Sequence, residues 1–376
     1  MSHAFSNIDP TLTVIHVGGR GGGFGETDVL LQLGKDLSLS IFEANIESED
    51  ITWDNYDRLI KEYATRYGIK LSVIPQCLSS TIGKKKFHIN VMPDCSSLLE
   101  MSPDAKNYQR MNSPYYRIVW GQICQPKRLI DIDVTTIDEV YRNNVIQMPH
   151  FISIDAQGAE YDILQGASEA LRGDLLGVIS EVEFRELYDG QKLFTDQFAL
   201  LRKHEFDLFD LYNTEYWHPS LIIGKGTLMV AEALFLRNFR YFVKRDRNPT
   251  VLLSNLSKLA TVAYYFERRS YAFEITEYIM DNWQHEWDAL VQRSDSKYMN
   301  DLKEFYSGVK SHQSKLEKVP TYSDFLARYL SLGGETPGTV WTRRIRKFLP
   351  SPICRLVRFY LTKIKRLIEI ILILLR

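Results

Sequence analysis

Residues 151–166 read FISIDAQGAEYDILQG, and the fold turns on them. Phe151, Ile152, Ser153 and Ile154 suit a buried strand, and Asp155 and Gln157 stand where that strand ends. Gly158 and Ala159 allow a tight turn. From Glu160 the pattern becomes helical, with Ile163, Leu164 and Ala167 on one face. Open α/β sheets bind ligands in the crevice at the carboxyl ends of their strands. A carboxylate and an amide at such a corner are therefore placed to act on a ligand. The plain alternative is a structural corner in which Asp155 caps the helix.

Working outward, residues 11–17, TLTVIHV, form a β-branched buried strand that runs into GGRGGGFGE at 18–26. Glycines after a strand let backbone approach a ligand closely. A dinucleotide fingerprint needs glycines at i, i+2 and i+5. Gly19 and Gly21 are followed by Phe24, and Gly21 and Gly23 by Glu26, so an NAD reading fails. A second strand at 37–42 ends in Glu43, the kind of acid that accepts ribose hydroxyls beyond a glycine loop. Residues 52–67 read as a helix, 71–74 as a strand, and 86–91 and 128–134 as alternating, half-exposed strands. Thr136 is placed to cap a helix at 136–141. Beyond the opening stretch, a strand at 176–179 carries Glu181 and Glu183 at its end, both pointing to one side. A helix at 198–204, a strand at 206–212 and a strand or strand–helix element at 228–237 complete an α/β pattern with a largely parallel sheet.

The longest distinctive block, ISIDAQGAEYDILQGA at 152–167, resembles the signature of the FkbM family of S-adenosylmethionine-dependent methyltransferases. ISEVEFRELYDGQKLF at 179–194 is similar to the family's Glu–x–x–Phe and Tyr–x–Gly–Gln region. VGGRGG at 17–22, IFEAN at 41–45 and CSSLL at 95–99 are weaker matches, and the likeness spans residues 11–238. Two positions depart from the pattern: His16 where the family has an acid, and Ser153 where it often has Lys. The resemblance implies a class I, Rossmann-like methyltransferase sheet with helices on both faces. It implies S-adenosyl-L-methionine on Gly18, Gly19, Gly21 and Glu43, with Cys77 and Leu78 near adenine. Asp155 and Gln157 would border the transferring methyl, with Glu181 on the acceptor side. Asp155, Glu181 and His204, in that order, are the candidates to take a proton from a hydroxyl acceptor, expected to be a sugar of a surface glycan, glycolipid or glycosylated metabolite. A non-catalytic nucleoside-binding or scaffold relative is the other reading, and His16 is the residue that favours it.

Composition narrows the classes further. A chain of 376 residues, 45% hydrophobic, can bury a large core in one or two domains. A net charge of −1 argues against a nucleic-acid partner. Cys77, Cys95, Cys124 and Cys354 form no C-x-x-C pair, so neither a metal site nor a disulfide framework is read, which suits a reducing compartment. The start, MSHAFSNIDP, reads as no signal peptide, and a cytoplasmic location is expected. Residues 239–332 are expected to be a helical lobe packed on the first domain, with amphipathic helices at 249–268, 272–282, 299–309 and 322–332. A linker follows at 333–340. Residues 341–376 carry ten Lys or Arg against one acid, interleaved with aliphatic residues. That pattern fits a peripheral helix on an anionic membrane surface, or a docking helix for a protein partner.

Overall fold

A computed structural model describes residues 9–18, 25–44, 53–113, 115–293 and 296–316. Gly19 and Gly21, the helix expected at 322–332, the linker and the basic tail lie outside the described residues. Two compact units divide the chain, 1–306 and 307–376, and the site lies wholly in the first.

The chain opens with β1 (Leu12–Val17), a tightly wound 3₁₀ segment (Gly25–Asp36), β2 (Leu37–Phe42), α1 (Trp53–Tyr67) and β3 (Lys70–Ile74). An insertion follows: β4 (Cys77–Leu78), β5 (Gly83–Asn90), β6 (Gln109–Ser113), β7 (Tyr116–Val119), α2 (Trp120–Ile123) and β8 (Pro126–Thr135). The chain then returns through α3 (Ile137–Arg142), β9 (Phe151–Ile154), α4 (Glu160–Gln165), α5 (Ser168–Arg172), β10 (Gly177–Glu183), α6 (Phe194–Lys203), β11 (Phe206–Trp217) and β12 (Thr227–Arg237). It closes with α7 (Arg240–Arg245), α8 (Pro249–Tyr265), α9 (Arg269–Arg293) and α10 (Lys297–Leu316).

Seven strands form one sheet in the order β11-β12-β10-β9-β1-β2-β3. Neighbours from β10 to β3 run parallel, and β12 is antiparallel to both β10 and β11. Parallel strands buried on both faces should be apolar at every position. β9 is buried at all four positions and apolar at three, the exception being Ser153. Alternate residues feed two cores. Leu12, Val14, Leu37, Leu39 and Phe151 meet α8 and α9 on one face, and Ile15, Val17, Ile152 and Ile154 meet α3 to α6 on the other. The helices after residue 239 thus share a core with the sheet.

The insertion forms a three-stranded sheet, β4-β8-β5, and the β6-β7 hairpin. The charges read as solvated edges are cross-strand pairs. Lys84 faces Asp133 and Lys86 faces Asp131, all of them exposed. Two readings are refined and two elements are new. The element at 228–237 is a full strand. The helix expected at 272–282 runs from Arg269 to Arg293 across a kink at Trp283. Neither the hairpin nor the 3₁₀ segment was legible, because both lack a sustained apolar period.

Candidate active site

The carboxyl ends of β1, β2, β3 and β9 are laced side by side. Asp155 N–H donates to Val17 O at 2.9 Å, Gly18 N–H to Phe42 O at 3.0 Å, and Glu43 N–H to Ile74 O at 3.2 Å. Gly18 has φ +95°, and a Cβ there would lie 1.7 Å from the Asp155 carbonyl oxygen. Only glycine lets β1 end this close to β9. A cleft opens along this row of strand ends. Its walls include Gly18, Glu43, Cys77, Leu78, Asp155 and Gln157, six of the residues singled out in the sequence. Burial pushes the Cys77 thiol up to about 12, helped by the Glu43 carboxylate, so this cysteine is an apolar wall and no nucleophile. His204 ends α6, before β11 begins, at the opposite end of the strands from Asp155. The site does not include it.

The helix-capping role open to Asp155 is not filled, and Glu160 instead braces the turn that precedes α4. The Glu160 Oε1 accepts Ala156 N–H at 2.8 Å and Gly158 N–H at 3.0 Å, and α4 has no side-chain cap from Asp155. Asp155 is left open to the cleft.

Gln157 is held in a left-handed conformation, φ +55°, uncommon for a residue with a side chain. Three bonds over-determine it. The Ser97 hydroxyl donates to Gln157 O at 2.6 Å, the Tyr188 hydroxyl donates to Gln157 Oε1 at 2.9 Å, and Gln157 Nε2 donates to Asp155 Oδ1 at 2.8 Å. Gln191 in turn accepts Leu187 N–H at 3.0 Å and Tyr188 N–H at 3.2 Å through its Oε1. The CSSLL and Tyr–x–Gly–Gln blocks therefore meet at one residue. Sequence spacing could not show this, since Ser97 and Tyr188 are far from Gln157 along the chain.

Four acids gather behind it: Asp155, Glu160, Glu181 and Glu183. Gln157 Nε2 also reaches Glu181 Oε2 at 3.5 Å. Burial pushes all four carboxyls up. Asp155, though exposed to the cleft, is raised because the surrounding protein screens it from bulk water, and this outweighs the bond from Gln157. Glu160 reaches about 7 through burial, although backbone N–H groups favour its charged form. Glu181 and Glu183 stand well above the carboxylate range, through burial first and then through their acidic neighbours.

His16 does not line the cleft. It faces its register partner Ser153 on β9, with Nδ1 2.9 Å from the Ser153 hydroxyl oxygen. Burial lowers its imidazole to about 4, so it is neutral. The two positions that depart from the family pattern are thus one neutral pair.

Residues 40–208 match the family model described as Methyltransferase FkbM domain. The matched span is narrower than the 11–238 read from the sequence. A solved structure described as methyltransferase FkbM from Methylobacillus flagellatus KT is similar at 13% identity and a TM-score of 0.31, over 60% of this chain and 44% of that one. No curated protein matches the chain.

Proposed function

We propose that this domain is a class I methyltransferase that moves a methyl group from S-adenosylmethionine to a hydroxyl oxygen, with a sugar as the expected acceptor. The observation that carries the reading is the single cleft gathering Gly18, Glu43, Cys77 and Leu78 beside Asp155 and Gln157. The donor set suits the cofactor. Glu43, at the end of β2, offers a carboxylate to ribose hydroxyls, and Phe42, Cys77 and Leu78 offer an apolar wall to a purine. Held there, S-adenosylmethionine would supply an electrophilic methyl for the acceptor oxygen, its sulfur keeping the electron pair of the S–C bond. The chain's part is to position the acceptor and take its proton. Asp155 faces the cleft with a carboxyl raised towards neutrality, and Gln157 fixes its orientation. Glu181 stands behind, within 3.5 Å of Gln157 Nε2, on the acceptor side.

Calorimetry with S-adenosylhomocysteine and NAD tests the reading. S-adenosylhomocysteine should bind and NAD should not. Glu43→Ala should weaken binding by about tenfold or more, the loss of one or two hydrogen bonds to a charged acceptor. No heat with S-adenosylhomocysteine would end the reading. Unchanged affinity in Glu43→Ala would end the ribose assignment alone.

A further inference from the structure

We propose that Asp155, Glu160 and Glu181 form a site for one hard divalent cation of the magnesium, manganese or calcium class, open to the cleft. One carboxylate oxygen from each of the three lies within 4.8 Å of the others. Ligands on opposite sides of an ion bound at about 2.3–2.6 Å are about 4.6–5.2 Å apart. The three oxygens are therefore close enough together to share one ion of this class.

Acidic clusters are common without a metal, and the second observation decides the matter. Glu160 is fully buried, and while its Oε1 takes two backbone N–H groups, its Oε2 has no hydrogen-bond partner. Glu183, 1% exposed, likewise leaves Oε2 without one. A buried carboxylate oxygen with no donor costs several kcal/mol, roughly, unless something else satisfies it. Among the described residues no Lys or Arg pairs with any of the four acids. The site has the other parts a cation needs. All its ligands are oxygen, which selects hard ions. Gln157 Nε2 and the Ala156 and Gly158 N–H groups orient the ligand carboxylates from outside. Asp155 lines the cleft, which gives an entry path.

The sequence showed no metal because the ligands share no local spacing. They come from the end of β9, the first turn of α4 and the end of β10, joined by the parallel register that sets Ile154 beside Ser180. Three protein ligands leave open coordination positions on the cleft side. Resting on the methyl-transfer reading, those positions favour an acceptor with two adjacent oxygens, such as a vicinal diol, held by the ion with one oxygen presented for methylation.

The test is manganese binding by full-length, chelator-treated protein, followed by loss of the free-ion paramagnetic resonance signal. One Mn²⁺ per chain should bind, with Ca²⁺ competing. Asp155→Asn and Glu181→Gln should each weaken binding at least tenfold, and Asp131→Asn, an exposed acid of the β5–β8 pair, should not. Glu181 is only partly buried, so its variant tests the site even where Asp155→Asn folds poorly. Absence of binding at millimolar Mn²⁺, or undiminished binding in a folded Glu181→Gln, overturns the proposal and leaves four carboxyls sharing protons. S-adenosylhomocysteine calorimetry on the same metal-free sample separates the two readings. Cofactor without manganese sinks the cation alone, and manganese without cofactor sinks the methyl-transfer reading alone.

Discussion

The two ends of the central sheet treat buried charge in opposite ways. At the amino end of β10, Arg237 is fully buried and saturated. Its guanidinium donates to Leu175 O at 3.0 Å, to Leu171 O at 2.9 Å and to His204 O, and it lies over the Phe206 and Tyr241 rings. Close by, Arg245 holds Asp174 and Asp246, and Asn255 bridges the same two acids. Lys258 stands 3.2 Å from His150 Nε2, and the other ring nitrogen meets the Thr13 hydroxyl. At the carboxyl end, four acids gather with no cation among the described residues, and two of them keep an unsatisfied oxygen. A buried charge that is fully paired holds structure together. A buried charge left incomplete weakens the fold and persists where a ligand completes it. The same sheet thus separates scaffold from site by how completely its ionic groups are answered.

The largest expected effect lies at the incomplete end. Asp155→Asn keeps shape and removes charge, and turnover should fall about 10²- to 10⁴-fold, as for loss of a proton acceptor. Single-turnover assays with S-adenosylhomocysteine affinity measured in parallel would show this. Turnover equal to that of the unaltered protein would move the role to Glu181.

Next comes a cut at the saturated end. Arg237→Met strands three buried carbonyls at roughly 1–3 kcal/mol each, so about 3 kcal/mol or more of stability should be lost in urea unfolding. The folded fraction should keep its affinity for S-adenosylhomocysteine. A loss of affinity without loss of stability would mean the two ends are not separate.

The smallest effect is a slope. Burial, then the Lys258 ammonium, lowers His150 to about 3 from an ordinary 6.5. The unfolded chain therefore binds a proton that the folded chain refuses between those values. Its contribution to stability is complete above about pH 6.5 and declines as pH falls towards 3, by at most about 1.4 kcal/mol per pH unit. His150→Gln should flatten acid unfolding in that window. An unchanged profile would show that His150 is already protonated in the fold.

The parts of the fold that depend on local pattern were legible. β9 begins and ends where its apolar run does, and the Thr136 hydroxyl accepts Glu139 N–H at 3.0 Å as a cap should. The cleft residues were legible because glycines, Glu43 and Asp155 all sit where strands end. Convergence was not. Glu160 read as the start of a helix, and its place beside Glu181 depends on a strand that follows later in the chain. Tyr188 lay in a motif without a function until the fold placed its hydroxyl on Gln157. The His16–Ser153 pair was invisible for the same reason, since β1 and β9 are neighbours only in the sheet.

Tyr188 has one more consequence. Its ring stands edge-on to Trp120, with centroids 5.6 Å apart, and Trp120 stands edge-on to Trp217 at 5.5 Å. Two indoles this close and nearly perpendicular act as a coupled chromophore. Its far end is tied through one phenol to the residue that orients Asp155. A ligand that shifts Gln157 is expected to change the near-ultraviolet circular dichroism of this ring cluster, which titration with S-adenosylhomocysteine would show.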